Sequence, residues 1–382
     1  MDSFDYQPRT RIVFGAGRLT SLGQLASELG ARRALVVSDP GIIAAGHTAR
    51  GITSLEEAGI KTQLFSDVGE NPTTDHVNAG LTIARRYEPE LIVGLGGGSS
   101  MDCAKGINFL YSGGGQMQDY WGTGKMTREM LPMIAVPTTA GTGSETQSFA
   151  LISDAKTHVK MACGDKKATC RVALLDPELT VTQPRRVTAL TGIDAIAHAL
   201  ETYVTKRRNP VSTAFSREAW RLLSENFSRV LETPDDLAAR GGMQLGACFA
   251  GLAIENSMLG ATHALANPLT ARYQIPHGQA IALMLPHVVR YNAAEVGRWY
   301  RELVESVPVN GKPRPAAIAE DLAESIVALV TKAGLAVRLA DCGVERERLP
   351  DLASLASREW TGGFNPRAVN ETELLELYRA AY

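Results

Sequence analysis

An aspartate and a histidine four positions apart, Asp194 and His198, are the first residues whose spacing could do chemistry. They lie in TGIDAIAHALETY (191–203), a segment whose Ala, Leu and Ile content predicts a helix. Side chains four residues apart project from the same face of a helix, so a carboxylate and an imidazole would share an apolar surface. For this pair alone, an ordinary surface contact near the helix start is the simpler interpretation.

Two further histidines change the interpretation of this pair. His263 lies in a stretch of small residues that reads as helical, and His277 lies in a Pro-His-Gly turn that opens another helix. Any one of these histidines taken singly is an ordinary core or surface residue. Together with Asp194 and His198 they supply one carboxylate and three imidazoles, a donor set suited to Fe²⁺ or Zn²⁺. We therefore predict a metal site on helices of the second half of the chain.

A glycine-rich loop in the first half predicts a phosphate-binding turn. An apolar strand over 91–95 runs into Gly96-Gly97-Gly98-Ser99-Ser100-Met101-Asp102, and a helix is predicted over 103–111. Glycines let the backbone approach a ligand, and a helix start offers free N–H groups. The loop lacks the GxGxxG pattern, so a tight turn capped by Ser99 remains the alternative. A second loop, PTTAGTGSE (137–145), places hydroxyl groups and glycines after another apolar strand and favours a nucleotide site.

Asp39 ends an apolar strand predicted over 33–39. At that position its carboxylate could accept hydrogen bonds from an adenosine ribose, and its charge would repel a 2′-phosphate, which favours NAD(H) over NADP(H). The alternative is an aspartate that initiates the Pro40-Gly41 turn. Both interpretations stay open.

The order of elements predicts two domains. Strands and helices alternate up to residue 183, including a helix over 42–58 and a hairpin over 149–152 and 158–161, which predicts a doubly wound, mostly parallel, Rossmann-like sheet. Residues 184–382 read as helical nearly throughout, with one helix over 315–333. We expect an α/β dinucleotide-binding domain (1–183), an all-α metal-binding domain (184–382) and an active site in the cleft between them.

Composition excludes several classes of protein. The 382 residues carry a formal charge of −2 without a basic cluster, which argues against nucleic acid or a membrane surface as partner. We find neither a leader-like start nor an apolar run that could span a bilayer. Five scattered cysteines without a CxxC pair indicate reduced thiols and a cytoplasmic location.

The chain resembles the iron-dependent (group III) alcohol dehydrogenase family. The resemblance rests on GGGSSMDCAK (96–105), PTTAGTGSE (137–145), DAIAH (194–198) and the segment from His263 to PHG (276–278), and it covers nearly the whole chain. It implies a dehydroquinate synthase-like architecture and a homodimer or higher homo-oligomer, for which the strand at 11–15 is the candidate contact. It also implies Fe²⁺, alternatively Zn²⁺, held by Asp194, His198, His263 and His277.

The resemblance also implies a set of NAD(H) contacts. Their members are Asp39, Asn71, Gly97, Gly98, Ser99, Asp102, Thr138, Thr139, Thr142, Phe149 and Lys160. One departure from the family lies near the expected nicotinamide site. Many members carry a histidine four residues after position 263, where this chain has Asn267, and an asparagine side chain cannot relay a proton by titrating.

The function that follows is an NAD(H)-linked, metal-dependent alcohol dehydrogenase or aldehyde reductase. The metal would act as a Lewis acid on the oxygen of a small alcohol or aldehyde, and no residue is assigned as a catalytic acid or base. Two alternatives remain: a dehydroquinate synthase-like lyase that uses NAD and a metal, and a nucleotide sensor without catalysis. The lyase would need several basic residues near the metal, and 191–278 offers few, namely Lys206, Arg207, Arg208 and Arg272.

Overall fold

The computed structural model describes residues 4–307 and 319–382, which form two compact units. One unit is Gln7–Gln183, and the other combines residues 4–6 with Pro184–Tyr382. The first contains a parallel sheet flanked by helices and the second is built from helices, so the predicted fold class is confirmed. Residues 315–318 of the helix predicted over 315–333 lie outside the described residues.

The main sheet of the first unit has six parallel strands in the order β1-β9-β6-β4-β2-β3. Its strands are β1 Arg11–Phe14, β2 Arg33–Val37, β3 Lys61–Phe65, β4 Leu91–Gly96, β6 Met133–Pro137 and β9 Val172–Leu175. The chain goes from β2 to β3 on one side and then to β4 on the other side of β2. The strand order therefore reverses between β2 and β4, where the carboxyl ends of the strands leave a crevice for ligands in such folds.

A separate three-stranded sheet contains the predicted hairpin. Strands β7 Phe149–Ser153 and β8 Lys160–Gly164 pair antiparallel, and the short β5 Gly122–Thr123 pairs with β8. The hairpin is thus confirmed, although it does not extend the main sheet.

Two helices of the first unit differ from the sequence prediction. The helix predicted over 42–58 is two helices, because Gly46 adopts a left-handed φ of 80° between them. The helix predicted from residue 103 begins five residues earlier, because Gly98 takes helical backbone angles and Gly97 is the residue that caps it. The helices are α1 Leu22–Glu28, α2 Pro40–Ala44, α3 His47–Glu57, α4 Thr74–Tyr87, α5 Gly98–Gly113 and α6 Glu178–Val181.

In the second unit, the helix that carries the DAIAH motif is buried along most of its length. The helices are α7 Arg185–Val204, α8 Pro210–Glu232, α9 Leu237–Glu255, α10 Ala261–Tyr273, α11 His277–Glu305, α12 Ala319–Lys332, α13 Leu349–Ala356 and α14 Glu371–Ala381. Of the described helices, α9 alone has the length and apolarity to cross a membrane. It packs against α7 and α8, and 67% of its most apolar 18-residue stretch is buried, as in a core helix.

Candidate metal centre and nucleotide-binding loops

Helix α7 brings Asp194 and His198 to one buried position. Their exposed fractions are 6% and 4%, and Asp194 Oδ1 lies 3.3 Å from His198 Nε2. This burial contradicts the interpretation of the two residues as an ordinary surface pair. A buried carboxylate beside a buried imidazole needs a further charged partner to offset the loss of hydration.

Helices α10 and α11 add the other two histidines at the same point. The Nε2 atoms of His263 and His277 lie 3.5 Å and 3.7 Å from the same Asp194 Oδ1. The donor atoms of Asp194, His263 and His277 all lie within 4.8 Å of one another. Three of the predicted ligands therefore converge on one oxygen atom of the fourth, Asp194, although the four residues are spread over 84 positions of sequence.

Gly278 allows the start of α11 to approach α7 closely. A Cβ atom at this position would stand 2.2 Å from the carbonyl oxygen of Leu190, which is backbone and cannot swing aside. His277 is the adjacent residue and the first of its helix. The glycine of the Pro-His-Gly turn is thus required by the packing that places His277 beside Asp194.

The four side chains fit a divalent cation. Asp194 Oδ1 and His263 Nε2 are buried and, within residues 4–307 and 319–382, have no hydrogen-bond partner, which is uncommon for buried polar atoms. Ligands at about 2.1 Å from a tetrahedral ion stand about 3.4 Å from one another, close to the 3.3–3.7 Å separations between Asp194 Oδ1 and the three Nε2 atoms.

The electrostatics of the cluster also suit a cation. Burial opposes ionisation of Asp194, but the three imidazoles outweigh it and hold its pKa well below the usual range. Burial likewise opposes a charged His263, yet Glu201 and Asp194 outweigh burial and raise the pKa of His263 to about 9. The site thus attracts positive charge, and a bound metal ion would take the place of the proton on His263.

Glu201 is the residue of this cluster that sequence reasoning missed. It is 4% exposed, and its two oxygens accept from His263 Nδ1 (2.5 Å) and from the backbone N–H of Thr262 (2.7 Å). Glu201 lies seven residues after Asp194 and three after His198, and therefore on the same helix face. That spacing was a signal available in the sequence, although its partners lie about 60 residues further along the chain.

The two glycine-containing loops of the first unit touch each other. A Cβ atom on Gly98 would stand 2.7 Å from Thr142 Cγ2, and one on Gly97 would stand 3.4 Å from Thr139 Cγ2. The N–H of Thr138 donates to the carbonyl of Gly96 (3.0 Å). Thr138 Oγ1 is buried, and it finds no hydrogen-bond partner among the residues that the structure describes. The predicted loop residues are therefore brought together at the ends of β4 and β6.

Asp39 and Asn71 lie at the same edge. Asp39 caps α2 by accepting from the N–H of Ile42 (3.1 Å), and its other oxygen accepts from Ser100 Oγ (3.0 Å). The capping contact agrees with the turn interpretation of Asp39. Asn71, with a left-handed φ of 53°, donates its N–H to Ser99 Oγ (3.3 Å). Ser99 lies within α5 and is not its cap, so the alternative interpretation of this loop as a turn capped by Ser99 is wrong.

Near Asp102 and Phe149 lies a buried lysine that sequence reasoning also missed. Lys105 is 0% exposed, and its Nζ donates to the carbonyls of Ser144, Gln147 and Phe149 and to Ser144 Oγ at 2.6–3.0 Å. Ser144 Oγ in turn donates to Asp102 (2.7 Å). Burial raises the pKa of Asp102, an effect that Lys105, Ser144 and the exposed Lys160 oppose. Lys105 lies in the GGGSSMDCAK motif (96–105), and a charged residue in this largely uncharged segment was a signal available in the sequence.

Asn267 lies one turn after His263 on α10, and its amide donates to Glu359 Oε2 (2.8 Å). The side chain of Asn267 is half-buried, and this hydrogen bond connects α10 to Glu359. Asn267 therefore serves a hydrogen bond within the second unit.

A phosphate-cradle sheet in one unit and a buried carboxylate–histidine cluster in the other define a class of metal-dependent dehydrogenases. The sequence signature "Iron-containing alcohol dehydrogenase" matches residues 8–177, and "Fe-containing alcohol dehydrogenase family, C-terminal" matches residues 188–382. The chain belongs to the iron-containing alcohol dehydrogenase family and is an oxidoreductase. The resemblance seen in the sequence is confirmed.

The similarity to known proteins covers nearly the whole chain. The 1,3-propanediol dehydrogenase of Citrobacter freundii is 35% identical, with 99% of each chain covered. A crystal structure of 1,3-propanediol oxidoreductase covers 100% of both chains at 34% identity and a TM-score of 0.94. Sulfoacetaldehyde reductase from Bifidobacterium kashiwanohense, solved in complex with NAD⁺, is 28% identical with a TM-score of 0.89, covering 100% of this chain and 99% of the other.

Proposed function

We propose that this protein interconverts a small primary or secondary alcohol and its aldehyde or ketone, using NAD(H) and a divalent metal ion. The observation that carries the proposal is the convergence of three histidine Nε2 atoms on one buried, hydrogen-bond-deficient oxygen of Asp194. The family assignment favours this reaction over the lyase and sensor alternatives.

Asp194, His198, His263 and His277 would hold the ion. The family assignment favours Fe²⁺, and Zn²⁺ is the alternative because such donor sets bind it more tightly. When bound, the ion supplies Lewis-acid polarisation of the substrate oxygen, and the nicotinamide supplies or accepts the hydride. The protein would orient the reacting groups, and it would present the three imidazoles to the ion with their Nε2 atoms unprotonated. Asn267 would lie near the nicotinamide without taking part in proton transfer by titration.

The cofactor is proposed to lie along the carboxyl ends of β2, β4 and β6. Its contacts would come from Gly97, Gly98, Ser99, Thr138, Thr139 and Thr142 in the two touching loops, and from Asp39, Asn71, Asp102, Phe149 and Lys160 around them. The N-terminus of α5 would face the diphosphate. The carboxylate of Asp39 supports NAD(H) over NADP(H) because it would repel a 2′-phosphate.

We also propose a cytoplasmic homodimer or higher homo-oligomer. Support for a reducing compartment comes from the five free cysteines, four of which are buried. Support for association comes from β1, an edge strand of the main sheet on which Phe14 is 41% exposed.

The test is NADH oxidation by metal-stripped protein that is reconstituted anaerobically with Fe²⁺ or Zn²⁺ and offered a panel of short aldehydes. We expect turnover only with metal, faster with NADH than with NADPH, and its loss in His263→Ala together with the bound metal. His287→Gln is the matched control, because His287 lies on α11 outside the four-residue cluster. Turnover without metal would refute the metal's role. No turnover with any aldehyde, despite metal and NADH binding, would favour the lyase or the sensor.

A further inference from the structure

Glu201 joins two donors that belong to neighbouring residues of α10. Oε2 accepts from His263 Nδ1 at 2.5 Å, and Oε1 accepts from the backbone N–H of Thr262 at 2.7 Å. The carboxylate is buried, and Thr262 lies in the first turn of α10, where N–H groups lack partners within the helix. Each oxygen of Glu201 thus has its own hydrogen-bond partner on α10.

These contacts can be made together only by a carboxylate. A glutamine of the same length would have one oxygen and one NH₂ group. If its NH₂ group faced Thr262, two donors would meet. If its NH₂ group faced His263, the Nδ1 atom would have to act as acceptor, and the proton of a neutral ring would then stand on Nε2.

The position of that proton decides whether His263 can bind a metal. With Nδ1–H donated to Glu201, the Nε2 atom carries a lone pair and points toward Asp194 Oδ1, 3.5 Å away. A carboxylate on the far nitrogen of a ligating imidazole fixes the ring's tautomer and orientation and raises its basicity. We propose that Glu201 is the positioning residue of the metal centre, which makes His263 a competent ligand; this rests on the proposed function, in which the cluster holds a divalent cation.

The charge of Glu201 serves the same end. Asp194 alone would leave a divalent cation with one net positive charge in a buried, low-dielectric site. Asp194 and Glu201 together supply two negative charges, so the loaded site is neutral overall. An uncompensated charge is costly in such surroundings.

A second pair of side chains, Asn292 and Asn365, fixes the start of α10, where Glu201 accepts the Thr262 N–H. Asn365 accepts from the N–H of Ala261 (3.2 Å) and exchanges two hydrogen bonds with the buried Asn292 (3.0 and 2.7 Å). A Cβ on Gly260 would stand 3.0 Å from Asn365 Oδ1 and 3.2 Å from Glu201 Oε1, so the first turn of α10 lies tightly between them. The N–H of Thr262 is therefore held in one direction, and the carboxylate cannot rotate without losing it.

The test compares Glu201→Gln with Glu302→Gln. Glu302 is the matched control, because it lies in the same unit and accepts a hydrogen bond from the Tyr203 hydroxyl (3.0 Å), away from the four donor atoms. Affinity for Zn²⁺ and Co²⁺ is measured by competition with a chelator, and NADH affinity is measured alongside. We expect Glu201→Gln to weaken metal binding by about 10- to 100-fold, with an altered Co²⁺ spectrum, while NADH affinity and the control variant stay at wild-type values.

A measurement on the wild-type protein keeps the inference testable if the variant does not fold. Nitrogen-15 spectra of the histidine rings in the Zn²⁺-loaded protein, assigned by comparison with His263→Gln, should show His263 protonated at Nδ1 and metal-bound at Nε2. The opposite tautomer, or wild-type metal affinity in Glu201→Gln, would overturn the role of Glu201 and leave the proposed function intact. Absence of any divalent metal binding by the wild-type protein would overturn both.

Discussion

Replacing Lys105 with methionine removes a buried charge from the nucleotide loops while keeping much of the side chain's length. Lys105 Nζ is surrounded by four oxygens at 2.6–3.0 Å, three of them backbone carbonyls of 144–149. A lysine has three N–H donors, so the ammonium group is fully used by this loop. Its charge also offsets the buried carboxylate of Asp102.

The magnitude follows from the groups that the change leaves unpaired. A buried carbonyl left without a donor costs about 1–3 kcal/mol, and part of this is recovered when the loop relaxes toward water. The Ser144 carbonyl keeps a donor in the N–H of Gln147 (3.2 Å), so it contributes less. Removing one partner of a buried charge pair typically costs about 3–5 kcal/mol. These contributions overlap because they share one ammonium group, so we expect Lys105→Met to lower the stability of the first unit by about 3–5 kcal/mol.

Denaturant unfolding and hydrogen exchange of peptides covering 138–153 would measure this effect, and NADH titration would show its consequence. We expect faster exchange in this segment and weaker NADH binding, because Thr138, Thr139 and Thr142 lie on the loop that Lys105 holds. Lys166→Met is the control, since Lys166 is an exposed lysine of the same unit. Wild-type exchange, stability and NADH affinity in Lys105→Met would refute the reasoning.

Two further changes test the packing around the metal centre in the second unit and a buried carboxyl group in the first unit. Gly278→Ala should weaken metal affinity about tenfold, as measured by chelator competition. Its Cβ would stand 2.2 Å from the Leu190 carbonyl oxygen, and overpacking of this kind typically costs about 1–3 kcal/mol. Gly297→Ala on the same helix meets no atom within 4 Å and should leave affinity unchanged. Glu145→Gln should flatten the pH dependence of stability. Burial raises the pKa of Glu145 to about 7. The free energy of unfolding of the wild-type protein should therefore fall by about 3 kcal/mol as pH rises from about 4.5 through 7. Identical urea-unfolding profiles of the two proteins over that range would contradict this.

The metal ligands could be predicted from the sequence because their chemistry is local or rare. Asp194 and His198 share a face by helix geometry alone, and histidines are few in this chain. Their convergence with His263 and His277 depends on how three helices pack, and that information is spread over contacts such as Gly278 against Leu190. The resemblance to a family replaced this missing packing information.

The sheet could be predicted from its alternating apolar runs, and the errors fell where a glycine has two possible roles. Gly46 breaks a predicted helix because it takes a left-handed conformation, whereas Gly98 continues a helix because it does not. Residue type alone does not distinguish these cases, since glycine is permissive in both. Pairing of the hairpin into a second sheet likewise depends on β5, which is too short to leave a pattern.

The two residues that sequence reasoning missed, Glu201 and Lys105, are buried charges of opposite sign, and each one forms hydrogen bonds with backbone groups. Glu201 accepts a backbone N–H at a helix start, where N–H groups lack partners within the helix, and Lys105 donates to backbone carbonyls of the loop 144–149. In each case the bond adjoins a residue of the proposed ligand-binding set, namely His263 or the threonines of 138–142. A buried charge is tolerated only where all of its bonds are made, so its presence indicates a fully determined backbone around it. Neutral side chains of equal length would fill the same space without imposing that geometry, which is why both positions carry charge.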